Sequence, residues 1–284
     1  MSDTQLLFQL LRQVSTELPA DVRSALEQAA SVETAESPAQ SILQDILRNV
    51  ELAAARRRPL CQDTGTIQVF VRPGLDFRRQ QFLYDLHEAV REATAQGLLR
   101  KNCVLAVSGK NTGDNLGPGS PSVHWLDETN APETQVTVLL KGGGSENMSC
   151  QYSLPDIPLH AARDLDGIRR CVLDAVTRIQ GQGCAPGILG VVIGGDRAMG
   201  YEEAKQLLLR PLGSRNPQPE LAALEKTLLE QANSLGIGPM GLGGKTTLLD
   251  VFVKETSRHP ASFFVTIAYN CWCCRRQTVS FKQS

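Results

Sequence analysis

The sequence predicts an α/β protein: a mainly helical N-terminal cap over residues 1–58, then a mixed-sheet α/β core over residues 59–284 with long Gly/Pro-rich loops, all in one domain. Three observations predict it. Apolar residues recur at helical spacing before residue 57. Short β-branched runs alternate with helical stripes from residue 66 onward. Clusters of Gly, Pro and Asn separate the two kinds of segment. A chain of 284 residues buries one large core or two modest ones. No internal repeat or linker interrupts it.

In chain order, Leu6, Leu7, Leu10, Leu11 and Val14 make residues 4–16 a helix. Pro19 and Asp21 mark a break and a new helix start. Ile42, Leu43, Ile46, Leu47, Val50 and Ala54 make residues 40–56 helical, ending in Arg56-Arg57-Arg58, where the negative end of the helix dipole suits basic residues. Thr66-Ile67-Gln68-Val69-Phe70-Val71 is a strand, residues 79–97 a helix on Phe82, Leu86, Val90 and Ala93, and Cys103-Val104-Leu105-Ala106-Val107 a short apolar strand with Cys103 as a small buried hydrophobe. The stretch Asn111–Pro121 is irregular and long enough to suggest a functional loop. Strands follow at 135–140, 190–195, 248–253 and 263–269. Helices follow at 164–181, capped by Asp164 or Asp166, and at 200–210 and 219–235.

Composition excludes several function classes. The chain is 42% apolar and 21% charged with a formal net charge of −1, so no global field favours nucleic acid or an anionic membrane. No apolar run approaches the roughly 20 residues of a membrane span. The N-terminus Met1-Ser2-Asp3-Thr4 lacks the basic region of a secretory signal. The eight cysteines, at 61, 103, 150, 171, 184, 271, 273 and 274, then point to a reducing, cytoplasmic compartment, where loop-borne thiols act as ligands or catalysts rather than bridges.

Pro59-Leu60-Cys61-Gln62-Asp63-Thr64-Gly65 sets a thiol, an amide and a carboxylate in a turn: a soft metal ligand beside a proton-handling group. Cys184, in Gly183-Cys184-Ala185-Pro186-Gly187, and Cys271, after the last predicted strand, also stand at element ends. Cys103 and Cys171 sit on predicted regular elements, and Cys150 has no such context. Cys271 and Cys274 form one CxxC pair, and a zinc ribbon would need a second. Lys141-Gly142-Gly143-Gly144-Ser145 can aim several backbone amides at one anion or simply turn the chain. Gly238–Thr246 is close to a phosphate-binding loop, but Pro239 stands where that motif requires glycine and the preceding element is helical. His259, in Arg258-His259-Pro260-Ala261-Ser262 before the final strand, is a lone histidine, a residue type that can handle protons but is more often structural than catalytic.

Seven segments in one order resemble the iron–sulfur-dependent hydro-lyases, class I fumarate hydratase and L(+)-tartrate dehydratase, in their alpha subunit or N-terminal region. They are Pro59–Gly65, Asn111-Thr112-Gly113, Lys141–Asn147, Gly183–Pro186, Gly243-Gly244-Lys245, Arg258–Ser262 and Asn270-Cys271-Trp272. The resemblance implies a [4Fe–4S] cluster held by Cys61, Cys184 and Cys271, which leaves one iron open as a Lewis acid. It implies substrate contacts from Gln62, Asp63, Arg100, the Gly144 backbone and His259, with Asp63 and His259 the catalytic candidates. Cys273 and Cys274 stand where the family has a small and a polar residue, and Ala185 replaces a proline.

The activity implied is reversible hydration of a small dicarboxylate, fumarate/malate by the glycine-rich segments, with L(+)-tartrate the alternative by Cys271-Trp272 and Arg258-His259-Pro260. In the family the general base and further clamps come from a beta region. A separate beta subunit is therefore expected, in an assembly of two alphas and two betas or around an alpha homodimer. A non-catalytic iron–sulfur scaffold is the reading from another class. Gln62, Asp63, Arg100 and His259 argue against it, because a scaffold needs only the thiols.

Overall fold

Helix α1 (Asp3–Thr16) starts at a capping box: Ser2 Oγ accepts from the Gln5 amide at 3.3 Å, and Gln5 Oε1 accepts from the Ser2 amide at 3.4 Å. Leu7, Leu10, Leu11 and Val14 make its buried stripe. Helices α2 (Ala20–Val32) and α3 (Pro38–Arg56) follow, completing the helical N-terminal region. The computed structural model describes residues 2–128 and 130–283 and is α/β. The chain forms two compact units, Met1–Pro19 with Asn49–Gly143 and Cys273–Ser284, and Ala20–Arg48 with Gly144–Trp272.

The sheet of the first unit has the order β2 (Ser122–Trp125), β1 (Thr66–Arg72), β3 (Thr134–Lys141), β8 (Arg275–Phe281). Only the β1–β2 pair is parallel. Register places Ile67, Val69 and Val71 opposite Leu140, Val138 and Val136, all on one face. Against that face pack α1 and α4 (Arg79–Ala95), the latter through Phe82, Leu86, Ala89 and Val90.

The second unit has the order β4 (Cys150–Ser153), β7 (Phe264–Asn270), β5 (Gly187–Ile193), β6 (Leu248–Glu255), with only β5–β6 parallel. Helices α6 (Leu165–Ile179) and α8 (Pro219–Ser234) cover the face carrying Leu189, Val191, Val251, Val265, Ile267 and Tyr269. Helix α7 (Arg197–Leu207) crosses the other face and approaches so closely that a Cβ on Gly190 would lie 2.1 Å from the Ala204 carbonyl oxygen. Asp164 is the α6 N-cap, accepting from the Gly167 amide at 2.7 Å. A short helix, α5 (Gly143–Asn147), follows β3.

One expected element is absent: residues 103–107 are not a strand. Val104 makes only an isolated bridge to Asn111, Val107 is fully exposed, and Cys103 is half-buried. The run is apolar, but no neighbouring strand pairs with it. Among the described residues no helix is long and apolar enough to cross a membrane.

Candidate active site

In the first unit the Cys61 turn is fixed from both sides. The residue before it, Leu60, is buried. Its amide donates to the Ser15 carbonyl at 2.9 Å, and its carbonyl accepts from Asn49 Nδ2 at 2.9 Å. Asp63 then holds the turn with its own carboxylate. Oδ1 accepts from the Gly65 amide and Oδ2 from the Gly143 amide, both at 2.8 Å. Gly65 has φ 79°, and a Cβ there would come 2.7 Å from the Lys141 carbonyl. No other residue fits.

Arg100 joins this turn. Its guanidinium donates to the Gln62 carbonyl at 3.3 Å, and its amide donates to Thr64 Oγ1 at 3.0 Å. Gln62 and Arg100 are exposed while Cys61 and Asp63 are half-buried. A thiol, a carboxylate, an amide and a guanidinium are thus gathered on one solvent-facing turn, a suitable set for an anion such as a carboxylate. Cys273 and Cys274 are buried in this unit.

Two residues shape the turn that the sequence did not single out. Asn115 (φ 64°) is buried, and its side chain makes four bonds. Oδ1 accepts from the amides of Asn102 and Cys103 at 2.8 and 3.2 Å. Nδ2 donates to Thr94 Oγ1 at 3.0 Å and to the Arg100 carbonyl at 2.8 Å. It replaces a strand ladder in holding the Arg100 segment. Asn115→Ala is expected to cost about 3 kcal/mol or more, at roughly 1 kcal/mol per lost bond, read as a lower urea midpoint with an unchanged slope. The second residue is Arg275. Its side chain is 1% exposed, and Nη2 donates to the Asp63 carbonyl at 2.9 Å. Its Nε and Nη1 have no partner among the described residues. A fully buried, adjacent arginine was hidden in the sequence by the cysteine cluster before it.

In the second unit, antiparallel β5 and β7 bring Cys184 and Cys271 to the same end of the sheet, since Ile188 pairs with Asn270. Cys184 is exposed at φ 54°, and its carbonyl accepts from the Trp272 amide at 3.4 Å. Cys271 is half-buried, with its amide bonded to Ser145 Oγ at 3.2 Å and Asn270 Oδ1 at 3.1 Å. Between them lies Tyr269, whose phenol burial pushes well above its ordinary value, with Cys271 and Cys184 adding to the effect. It therefore stays a neutral O–H donor. Gly144, the expected backbone donor, opens the second stretch of this unit, and a Cβ there would meet only the Gln182 carbonyl at 3.9 Å.

His259 lies elsewhere in the unit. It precedes β7 while Cys271 follows it, and six strand steps separate those ends by about 20 Å. Arg258 and Arg163 hold its turn through the carbonyls of His259, Pro260, Ala261 and Ser262. Its Nδ1 accepts from the Ala261 amide at 3.1 Å, so the neutral ring carries its proton on Nε2.

The glycine-rich Gly238–Thr246 segment does not face a phosphate. The amides of Lys245 and Thr246 donate to the Glu33 carboxylate at 2.9 Å, occupying the groups a phosphate would need. The segment packs instead beside the Cys184 loop, where the Met240 amide donates to the Ala185 carbonyl at 2.9 Å.

Among the described residues, no group of three or more His, Cys, Asp or Glu side chains is arranged to hold a metal ion. The donor chemistry nonetheless suits a soft iron–sulfur group: two thiols at one sheet end, one exposed and one half-buried, and a third on its own anchored turn.

Residues 4–280 match the family described as Fumarate hydratase (Fumerase). A Geobacillus stearothermophilus protein named for class I fumarate hydratase is 45% identical over 273 residues, 95% of this chain and 53% of that protein, so the chain spans about half of that relative's length. A Methanocaldococcus jannaschii protein named for the alpha subunit of L(+)-tartrate dehydratase is 37% identical over 97% of this chain and 96% of its own. The L(+)-tartrate dehydratase subunit alpha of Escherichia coli K12 is 33% identical over 97% of this chain and 89% of its own. Matched along nearly its whole length, the chain belongs to the fumarate hydratase (Fumerase) family.

Proposed function

We propose that this chain is the alpha subunit of a [4Fe–4S]-dependent hydro-lyase that reversibly hydrates a small dicarboxylate, fumarate/malate before L(+)-tartrate, together with a separate beta subunit. The observation that carries the reading is the Cys61 turn, where Asp63, Gln62 and Arg100 converge beside a thiol. A scaffold that only stored a cluster would have no use for that convergence. Greater identity to the relative named for fumarate hydratase, at 45%, than to those named for tartrate dehydratase, at 37% and 33%, favours fumarate. The names of the latter two, as alpha subunits, support a beta partner, which would carry the general base.

Cys61, Cys184 and Cys271 are the proposed ligands. When bound, the cluster supplies a Lewis-acidic iron that makes hydroxide a better leaving group. The chain's own residues do the rest. Arg100 offers a guanidinium to a substrate carboxylate, and Gln62 an amide. Asp63, with each carboxylate oxygen already accepting one backbone amide, keeps one orientation and is the acid–base candidate of this chain. Gly144 offers a backbone N–H. His259 lies at the far end of the sheet from Cys184 and Cys271, so it is not placed beside those two thiols.

The test is anaerobic reconstitution with iron and sulfide, with and without a candidate beta subunit, followed by fumarate, malate and tartrate assays. Fumarate hydration appearing only with the beta subunit is the expected result. Full activity of the isolated chain would refute the division of labour, and preference for tartrate would reverse the substrate assignment.

A further inference from the structure

Tyr269 is 1% exposed and lies beneath the loop that carries Cys184. A Cβ at Gly183 would stand 2.3 Å from its Cε1, and one at Gly187 2.3 Å from its Cε2 and 2.4 Å from its hydroxyl oxygen. The two glycines that bound Cys184-Ala185-Pro186 therefore rest on opposite edges of one ring. Two residues later the same strand delivers Cys271. Packing alone would be met equally well by phenylalanine. The hydroxyl, however, is buried with no hydrogen-bond partner among the described residues, which carries the full desolvation penalty of an unmade bond. Next to it, Asn270 is fully buried, and its Nδ2 also lacks a partner while its Oδ1 accepts from the Cys271 amide. Asn270 projects from the opposite face of the strand, so the Tyr269 hydroxyl is the orphaned donor on the face beneath the Cys184 loop, two residues before one thiol, and it marks a place built to receive an acceptor.

We propose that, once the Cys184–Cys271 pair holds its soft-metal group, the Tyr269 hydroxyl donates to sulfur there, so that Tyr269 is a positioning residue for that group. The inference rests on the proposed function for the identity of that group as a cluster, but not for the orphaned donor itself. Hydrogen bonds to sulfur raise the potential of an iron–sulfur centre, and partners beyond the ligand shell typically change metal affinity by about 10- to 100-fold.

The test is Tyr269→Phe, which keeps the ring under both glycines. In the metal-free chain the melting temperature should be unchanged or raised, since an unpartnered group is removed. In the iron-loaded chain the midpoint potential should fall, and iron loss to a chelator should be about tenfold faster. With cadmium alone, thiolate-to-metal absorption should report an affinity about tenfold weaker than wild type. Equal potential, chelator resistance and cadmium affinity in the two proteins would overturn the proposal. So would a lowered melting temperature of the metal-free variant, because it would mean the hydroxyl is already bonded. If the wild-type chain took up no iron but Tyr269→Phe weakened cadmium binding, the cluster reading alone would fail.

Discussion

Cys184→Ala is expected to abolish the brown chromophore of the anaerobically reconstituted chain and reduce hydro-lyase activity of the assembled enzyme to background. The effect is all-or-none because three thiols are the proposed ligand set and none of the remaining five cysteines shares the Cys184 loop. Stability should barely move, by about 0.5 kcal/mol or less. The thiol is exposed, and the φ of 54° strains cysteine and alanine alike. Cys171→Ala supplies the contrasting control. That thiol is fully buried in the core under α6, so its loss should cost about 1–2 kcal/mol and leave the chromophore intact. Visible absorption and iron content, set beside thermal melts, separate the two outcomes. A chromophore surviving Cys184→Ala at full intensity would remove that residue from the ligand set.

The contrast between those two thiols shows how much was legible in the sequence. Cys171 reads as a core residue because it falls in the apolar stripe of α6, with Ile168, Val172, Ala175 and Val176. Stripes of this kind located α1, α3, α4, α6 and α8 to within a few residues, and β-branched runs located β1, β3 and β5–β7. The misplaced strand at 103–107 had the right composition. A strand needs a partner, and Val104 finds only Asn111. Strands β2, β4 and β8 went unread for the opposite reason. They are short or polar, as in Arg275-Arg276-Gln277-Thr278, and exist because neighbours supply their hydrogen bonds. The two compact units were equally hidden, since each is assembled from separated stretches of chain.

The site divides in the same way. Cys61, Cys184 and Cys271 were visible as thiols at element ends, and Asp63 and Gln62 as their neighbours. Asn115, Tyr269 and Arg275 act through contacts made only after folding. Asn115 bonds back to residues 94–103, and the Tyr269 ring meets glycines more than 80 residues earlier. No local spacing encodes such pairs. The one available signal was a departure from rule: a tyrosine in an apolar strand and two arginines opening another.

Arg275→Met should separate the demands of fold and function. The native guanidinium is buried on the core face of the sheet, opposite Leu140, with two of its three nitrogens unpartnered among the described residues. An uncompensated buried charge costs several kcal/mol, whereas the one bond the guanidinium makes among the described residues, to the Asp63 carbonyl, contributes about 1.5–3 kcal/mol. The first magnitude exceeds the second, and methionine fills most of the same space with a flexible apolar chain. The isolated variant should therefore be as stable as the native chain or about 1–3 kcal/mol more stable, measured by urea denaturation. Activity should move the other way. Asp63 keeps the two amides on its carboxylate but loses the anchor on its backbone, and a misplacement near 1 Å can cost about 100-fold in rate. Steady-state kinetics of the reconstituted complex should show kcat falling by that order with a smaller change in KM. The loss belongs to orienting the reacting group rather than to binding the diacid. A variant that loses stability while turning over at the native rate would show that Arg275 is an element of the core and nothing more. The opposite pair of results would explain why a fold retains a destabilising charge beside its Cys61 turn: the charge holds the carboxylate where the chemistry needs it.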